Sequence, residues 1–172
     1  GVNLFENVRK QGALNLDGNS WAEVHDNESL DFGTGSFTLE AWVRAKFVNT
    51  ASALNVVLNL GGNASSAGAV SMLVGSTNKV TAVYNNSYVD SNAILTEGEW
   101  YHLVVNFNGT HSQIYINGVF DKNIARTARD ISNALVKEIG RDSTTARTYK
   151  DQIAQPRIYN RALTASEVLN NY

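Results

Sequence analysis

Two Asn-Gly pairs, Asn108-Gly109 and Asn117-Gly118, stand on either side of residues 113–116. Tight two-residue hairpins need positive φ at both central positions, and Asn-Gly meets that demand better than almost any other dipeptide. The residues before the first pair alternate. Tyr101, Leu103, Val105 and Phe107 fall on one side of residues 100–107, and Trp100, His102, Val104 and Asn106 on the other. Period-2 alternation followed by two primed turns commits this region to a β-meander, with residues 119–120 opening the third strand.

The same grammar runs through the rest of the chain, with strands separated by turn residues at intervals of about 8–12 residues, the spacing of a sandwich or barrel. Residues 36–45 give the clearest strand: Phe37, Leu39, Ala41 and Val43 share the face expected to be core, and Thr38, Glu40, Trp42 and Arg44 share the other. Further strands are expected at 13–16, 21–24, 55–60, 69–74, 79–84 and 136–140, with Trp21 in the core and 121–135 irregular. Near the end, Pro156 cannot donate to a ladder, which restricts its strand to an edge or a bulge. Thr164-Ala165-Ser166-Glu167 is a capping box and starts a short terminal helix that docks through Leu163, Val168 and Tyr172. With 172 residues, and no linker-like stretch or internal repeat, residues 1–172 read as a single all-β domain, a two-sheet antiparallel sandwich with a C-terminal helix.

Composition removes several functional classes. The formal net charge is −2 and only 17% of residues are charged. No basic field of the kind needed to hold nucleic acid is present. No apolar run reaches the roughly 20 residues that cross a bilayer, so membrane insertion is not expected, and residues 1–10 lack the apolar core of a signal peptide. There is no cysteine, which excludes disulfides, thiolate metal sites and cysteine nucleophiles together.

Six blocks occur in a characteristic order: ALNLDGNSWAEV (residues 13–24), SFTLEAWVRA (36–45), GEWYHLVVNFNG (98–109), IYING (114–118), EIGRD (138–142) and IAQPRIYNRALTASEVLNNY (153–172). In this order they resemble the laminin G-like domains of the concanavalin A-like lectin/glucanase superfamily. The resemblance spans almost the whole chain and implies a jelly roll. Members bind glycans, proteins or steroids, so the resemblance constrains shape far more than ligand. One departure is visible. Where the family commonly carries an acidic pair in its last core strand, this chain has Ala154 and Gln155, which puts a family calcium site that uses that pair in doubt.

Catalysis is not expected. Jelly-roll glycoside hydrolases place closely spaced carboxylates along one strand as nucleophile and acid. Here Glu40 is alone in its strand, and Glu97 and Glu99 have no third partner. His25, His102 and His111 form no metal or triad pattern, and no Gly-x-Ser-x-Gly elbow is present. A structural calcium ion is the one cofactor to consider, since hard cations take oxygen ligands; the candidate ligands are Asp17 and Asp151, which come together if the first and last strands pair.

Sugar recognition asks for an exposed aromatic plane flanked by hydrogen-bonding side chains. The preferred contacts are Tyr84, Asn86, Tyr88 and Asp90 in a polar loop, with Arg141 and Tyr149 in another. A second aromatic group, Trp42 and Trp100 with Glu40, Arg44 and His102, is read as packing. The leading expectation is a non-catalytic, lectin-like module for extracellular or cell-surface carbohydrate, with a cell-surface protein as the other partner class. The alternative is a structural protein such as a virion decoration or tail component, and a glycanase or lyase ranks third. The corresponding location is extracellular or virion-associated.

Overall fold

The computed structural model describes residues 12–46, 54–63, 68–132, 135–143 and 147–172. Residues 1–10, expected to lack the apolar core of a signal peptide, lie outside them. Twelve strands are described: β1 (Ala13–Asn15), β2 (Ala22–Val24), β3 (Phe37–Arg44), β4 (Asn55–Asn59), β5 (Val70–Val74), β6 (Val80–Tyr84), β7 (Ser87–Asp90), β8 (Trp100–Phe107), β9 (His111–Ile116), β10 (Val119–Ala125), β11 (Lys137–Ile139) and β12 (Gln152–Tyr159). Among the described residues a 3-10 turn, Glu28–Leu30, follows β2, and a helix, α1 (Ala165–Asn171), ends the chain.

The strands form two antiparallel six-stranded sheets, β1-β12-β3-β8-β9-β10 and β2-β11-β4-β5-β6-β7. First and last strands pair as expected, with Ala13 opposite Ala154 and Asn15 opposite Gln152. The expected meander is β8-β9-β10, and its second turn places Asn117 at φ 53° and Gly118 at φ 75°. Pro156 sits at a bulge: the register of β12 against β3 shifts between Ala154 and Arg157, and Gln155 takes φ 49°. Among the described residues β1 pairs with β12 only as far as Ala154, so no described ladder bond calls for the missing proline N–H.

Alternation decides what faces inward. Phe37, Leu39, Ala41 and Val43 from β3 are all fully buried, as are Leu103 and Phe107 from β8. From the second sheet they meet the inner row Leu58, Met72, Ala82 and Val89, which lie opposite one another across β4 to β7. An aromatic stack joins the sheets: Tyr84 of β6 lies 4.5 Å from Phe107 and 6.3 Å from Phe37, centroid to centroid. Such pairs add about 0.5–1.5 kcal/mol beyond the area they bury.

Two stretches differ from the sequence-based expectation. The polar segment around residue 86 is a tight hairpin between β6 and β7, because Asn85 and Asn86 both adopt positive φ, 49° and 59°. Asn-Asn here does what Asn-Gly does elsewhere. The region expected to be irregular from residue 121 instead continues β10 to Ala125, past a bulge between Phe120 and Lys122.

Helix α1 closes the outward face of the first sheet. Its capping box is complete: Thr164 Oγ1 accepts from the Glu167 amide at 3.2 Å, and Glu167 Oε2 accepts from the Thr164 amide at 2.8 Å. Val168 and Leu163 pack on Val104 and Tyr115, and Tyr172 stacks on Trp42 at 5.5 Å. Leu163 and the outward Thr38–Asn106 pair are tied by hydrogen bonds, including Asn106 Nδ2 to the Leu163 carbonyl at 2.7 Å.

Candidate functional site

The outward face of the second sheet carries one continuous cross-strand row: Glu23 opposite Glu138, Glu138 opposite Asn59, Asn59 opposite Ser71, Ser71 opposite Val83, and Val83 opposite Tyr88. Its central members Glu138, Asn59 and Ser71 are buried, and they satisfy one another: Ser71 Oγ donates to Asn59 Oδ1 at 2.8 Å, and Asn59 Nδ2 donates to Glu138 Oε2 at 3.0 Å. The row becomes accessible only at its two ends.

At the β2 end, Trp21 is 41% exposed. Its neighbours fix it. Trp21 Nε1 donates to Glu23 Oε1 at 2.8 Å, and the Arg141 guanidinium carbon lies 3.6 Å from the Trp21 ring centroid. Arg141 is itself held by two carboxylates, through Nε to Glu138 Oε1 at 2.7 Å and Nη2 to Glu23 Oε1 at 3.0 Å. A cation over one indole face, hydrogen-bonded on two sides, fixes the ring orientation without burying its opposite face. Beside this cluster lies a shallow depression of about 270 Å³, lined by Gly62, Leu135, Val136, Glu138, Arg141 and Ser143. Backbone geometry contributes: Gly62 has φ 68°, and a Cβ added there would reach Leu135 at 3.4 Å.

At the β7 end the hairpin presents Tyr88, 41% exposed, with Asn86 and Asp90 also exposed. Asp90 Oδ1 accepts from Thr81 Oγ1 at 2.7 Å. Five strand spacings separate this end from Trp21, about 24 Å.

The structure therefore divides the six expected contact residues. Tyr84 is in the core, its hydroxyl donating to the Arg129 carbonyl at 3.0 Å and accepting from the Arg129 amide at 2.7 Å. Tyr149 is fully buried, and its hydroxyl donates to the Arg44 carbonyl at 2.8 Å; burial drives its phenol pKa far up. Neither ring reaches solvent, so both are corrections to the expected contact set. Asn86, Tyr88 and Asp90 stand together at one edge, and Arg141 stands alone among the six at the other. Trp21 is a correction in the other direction, expected in the core and found 41% exposed. The signal was present: Trp21 shares its face with Glu23 and His25, and the small Ala22 takes the inward position.

Of the other aromatic group, Glu40, Trp42 and His102 are packed as expected, whereas Trp100 and Arg44 are half-buried. Trp42 and His102 are buried under α1. Glu40 accepts there from His102 Nε2 at 3.1 Å, Arg157 at 2.8 Å and Asn171 at 2.9 Å. Burial raises the Glu40 pKa, but these hydrogen bonds and the neighbouring positive charge outweigh it and hold the carboxyl below its ordinary value. A wider polar depression of about 410 Å³, around Glu28, Ser29, Asp31, Ser36 and Asn160, has Phe32 as its ring, but that ring is stacked on Phe37 at 5.7 Å.

The calcium candidates are brought near each other, since Leu16 N donates to the Asp151 carbonyl at 3.0 Å beside Asp17. Their carboxylates do not fit a hard cation. Asp17 Oδ1 accepts from the Asn19 and Ser20 amides and the Ser20 hydroxyl, all at 2.8 Å, which pull its pKa down to about 2. Asp151 Oδ2 faces the Arg44 guanidinium at 2.9 Å, where an ion would have to displace a cation. Among the described residues no group of three or more His, Asp or Glu side chains is placed to hold a metal.

Residues 16–169 match the family described as the concanavalin A-like lectin/glucanases superfamily. The chain belongs to that superfamily. Similar folds among solved structures include domain 4 of AbnA, a GH43 extracellular arabinanase from Geobacillus stearothermophilus, in complex with arabinotriose, at 20% identity and TM-score 0.68, covering 92% of this chain and 75% of that one. The binding domain of Paraclostridial Mosquitocidal Protein 1 aligns at 20% identity and TM-score 0.69, covering 92% of this chain and 42% of that one. The binding domain of Botulinum Neurotoxin serotype G aligns at 17% identity and TM-score 0.69, covering 93% and 41%. This superfamily member thus spans less than half the length of those two chains. No curated protein sequence matches it. At these identities the likeness concerns the fold.

Proposed function

We propose that this superfamily member is a non-catalytic carbohydrate-binding module acting on extracellular or cell-surface glycans, with the Trp21 cluster as its contact site. One observation carries the reading: a large aromatic ring is held in the open by Glu23 and by an arginine that, with Glu138, lines a neighbouring depression. An indole plane with fixed hydrogen-bonding groups beside it matches the amphipathic surface of a sugar ring. The similar fold that holds arabinotriose supports the ligand class. Catalysis has no equivalent support: Glu40, the carboxylate expected to stand alone in its strand, is sealed beneath α1 and committed to three partners.

Titration calorimetry with arabinan, galactan, glucan and mannan oligosaccharides tests the reading. Binding that Trp21→Ala weakens by about thirtyfold, the loss expected of a central aromatic anchor, supports it. Binding unchanged in that variant, or none to any saccharide, removes it. A second reading, a protein-contact module, is favoured by Val119, Phe120, Leu169 and Tyr172, which are 50–66% exposed around the β9-β10 turn and α1. Sedimentation analysis tests that reading, since self-association lost on Phe120→Lys supports contact through this surface.

A further inference from the structure

From the atoms left uncommitted in the Trp21 cluster, we infer that the site selects neutral sugars presenting a vicinal diol and rejects uronic and sialic acids. This rests on the carbohydrate-binding reading above and specifies its ligand. Glu23 uses Oε1, for Trp21 and Arg141, and among the described residues Oε2 makes no hydrogen bond. Arg141 uses Nε and Nη2, and among the described residues Nη1 makes none. Glu138 is buried, with one oxygen on Arg141 and the other on Asn59, so it positions the arginine and does not face a ligand.

One carboxylate oxygen and one guanidinium nitrogen therefore remain uncommitted beside the exposed indole. A carboxylate oxygen accepts from one sugar hydroxyl, and a guanidinium N–H donates to the next, which is the complement of two adjacent hydroxyls on one ring. The sugar's C–H face covers the face of Trp21 that Arg141 leaves free. Formal charge sets the selectivity: Glu23 and Glu138 against Arg141 leave a net −1 in the cluster. The guanidinium that attracts a carboxylate ligand is already neutralised, and the free Glu23 oxygen repels one. A like charge about 4 Å away at a partly exposed site costs more than one decade in affinity.

The test pairs each neutral oligosaccharide with a charged counterpart of the same size, galactan against galacturonan and lactose against sialyl-lactose, on the intact protein at low salt. Neutral members are expected to bind at least about tenfold more tightly, with the gap narrowing as salt screens it. Glu23→Gln is expected to keep the melting midpoint, weaken neutral binding and reduce the discrimination. Equal or tighter binding of the charged members, still weakened by Trp21→Ala, overturns the selectivity while leaving the binding reading intact. Absence of binding to every member overturns both.

Discussion

Single side chains in this molecule do opposite jobs with the same chemistry. Trp21, beside β2, and Trp42, in β3, are both tryptophans on outward faces, yet one is held in the open by Arg141 and the other is roofed by Tyr172. Tyr84 and Tyr88 differ likewise: four residues apart, one is core and one is surface. Tyr84→Phe removes a hydroxyl that donates to the Arg129 carbonyl and accepts from its amide. It is expected to lower stability by about 1–2 kcal/mol in urea unfolding while leaving saccharide affinity unchanged. Trp21→Ala should show the reverse, because its exposed ring contributes little to the core. The same logic applies to metal. With Asp151 held by Arg44 and Asp17 by its own turn, chelator is expected to leave both the melting midpoint and binding where they stand in calcium. A midpoint raised by calcium would instead require Asp151 to exchange Arg44 for the ion.

The elements were more legible in the sequence than the site, for a physical reason visible in α1. Everything that starts this helix is local: Thr164 and Glu167 are three residues apart and satisfy each other whatever lies beneath. The Asn-Gly turns are local in the same sense. Strand β7 was missed because Asn85-Asn86 makes its turn without glycine, and the extent of β10 because its bulge interrupts the alternation. The Trp21 cluster was illegible because Glu23 lies in β2 while Glu138 and Arg141 lie in and just after β11, far apart in sequence and brought together only by the β2-β11 pairing. What α1 adds is sensitivity to acid. Glu167, hydrogen-bonded by Arg161 and by Thr164, is lowered to about 2, and Glu40, buried but bound by His102 and Asn171, is lowered as well. Both folded values lie below the unfolded one of about 4.5. Their stabilisation is therefore complete above that pH and is lost as pH falls through the folded values, toward 2 for Glu167. Urea midpoints measured from pH 7 to pH 2.5 are expected to fall below pH 4.5, and Glu167→Gln should start lower at pH 7 and fall less.

At the scale of the whole molecule, the two sheets have unequal dressing but a common core. The first sheet is covered outside by α1, whereas the second carries its own polar row, and the two meet through Phe37, Phe107 and Tyr84. A core shared this way gives neither sheet an apolar face it can keep covered alone, so they must unfold together. The tryptophans report on this separately. Trp42 and Trp100 lie in β3 and β8 of the first sheet, and Trp21 adjoins β2 of the second. Trp21→Phe leaves fluorescence to the first sheet, and the double variant Trp42→Phe, Trp100→Phe leaves it to the second. In each variant the fluorescence transition in urea is expected to coincide with its own far-ultraviolet circular dichroism. Phe107→Ala, which opens the centre of the stack, should lower both sheets' midpoints together by the equivalent of about 3–5 kcal/mol. If Trp21 fluorescence instead changes at lower urea than the dichroism does, the β2-β11 edge that carries the candidate site opens before the sandwich. The site's preorganisation would then be weaker than its hydrogen bonds indicate.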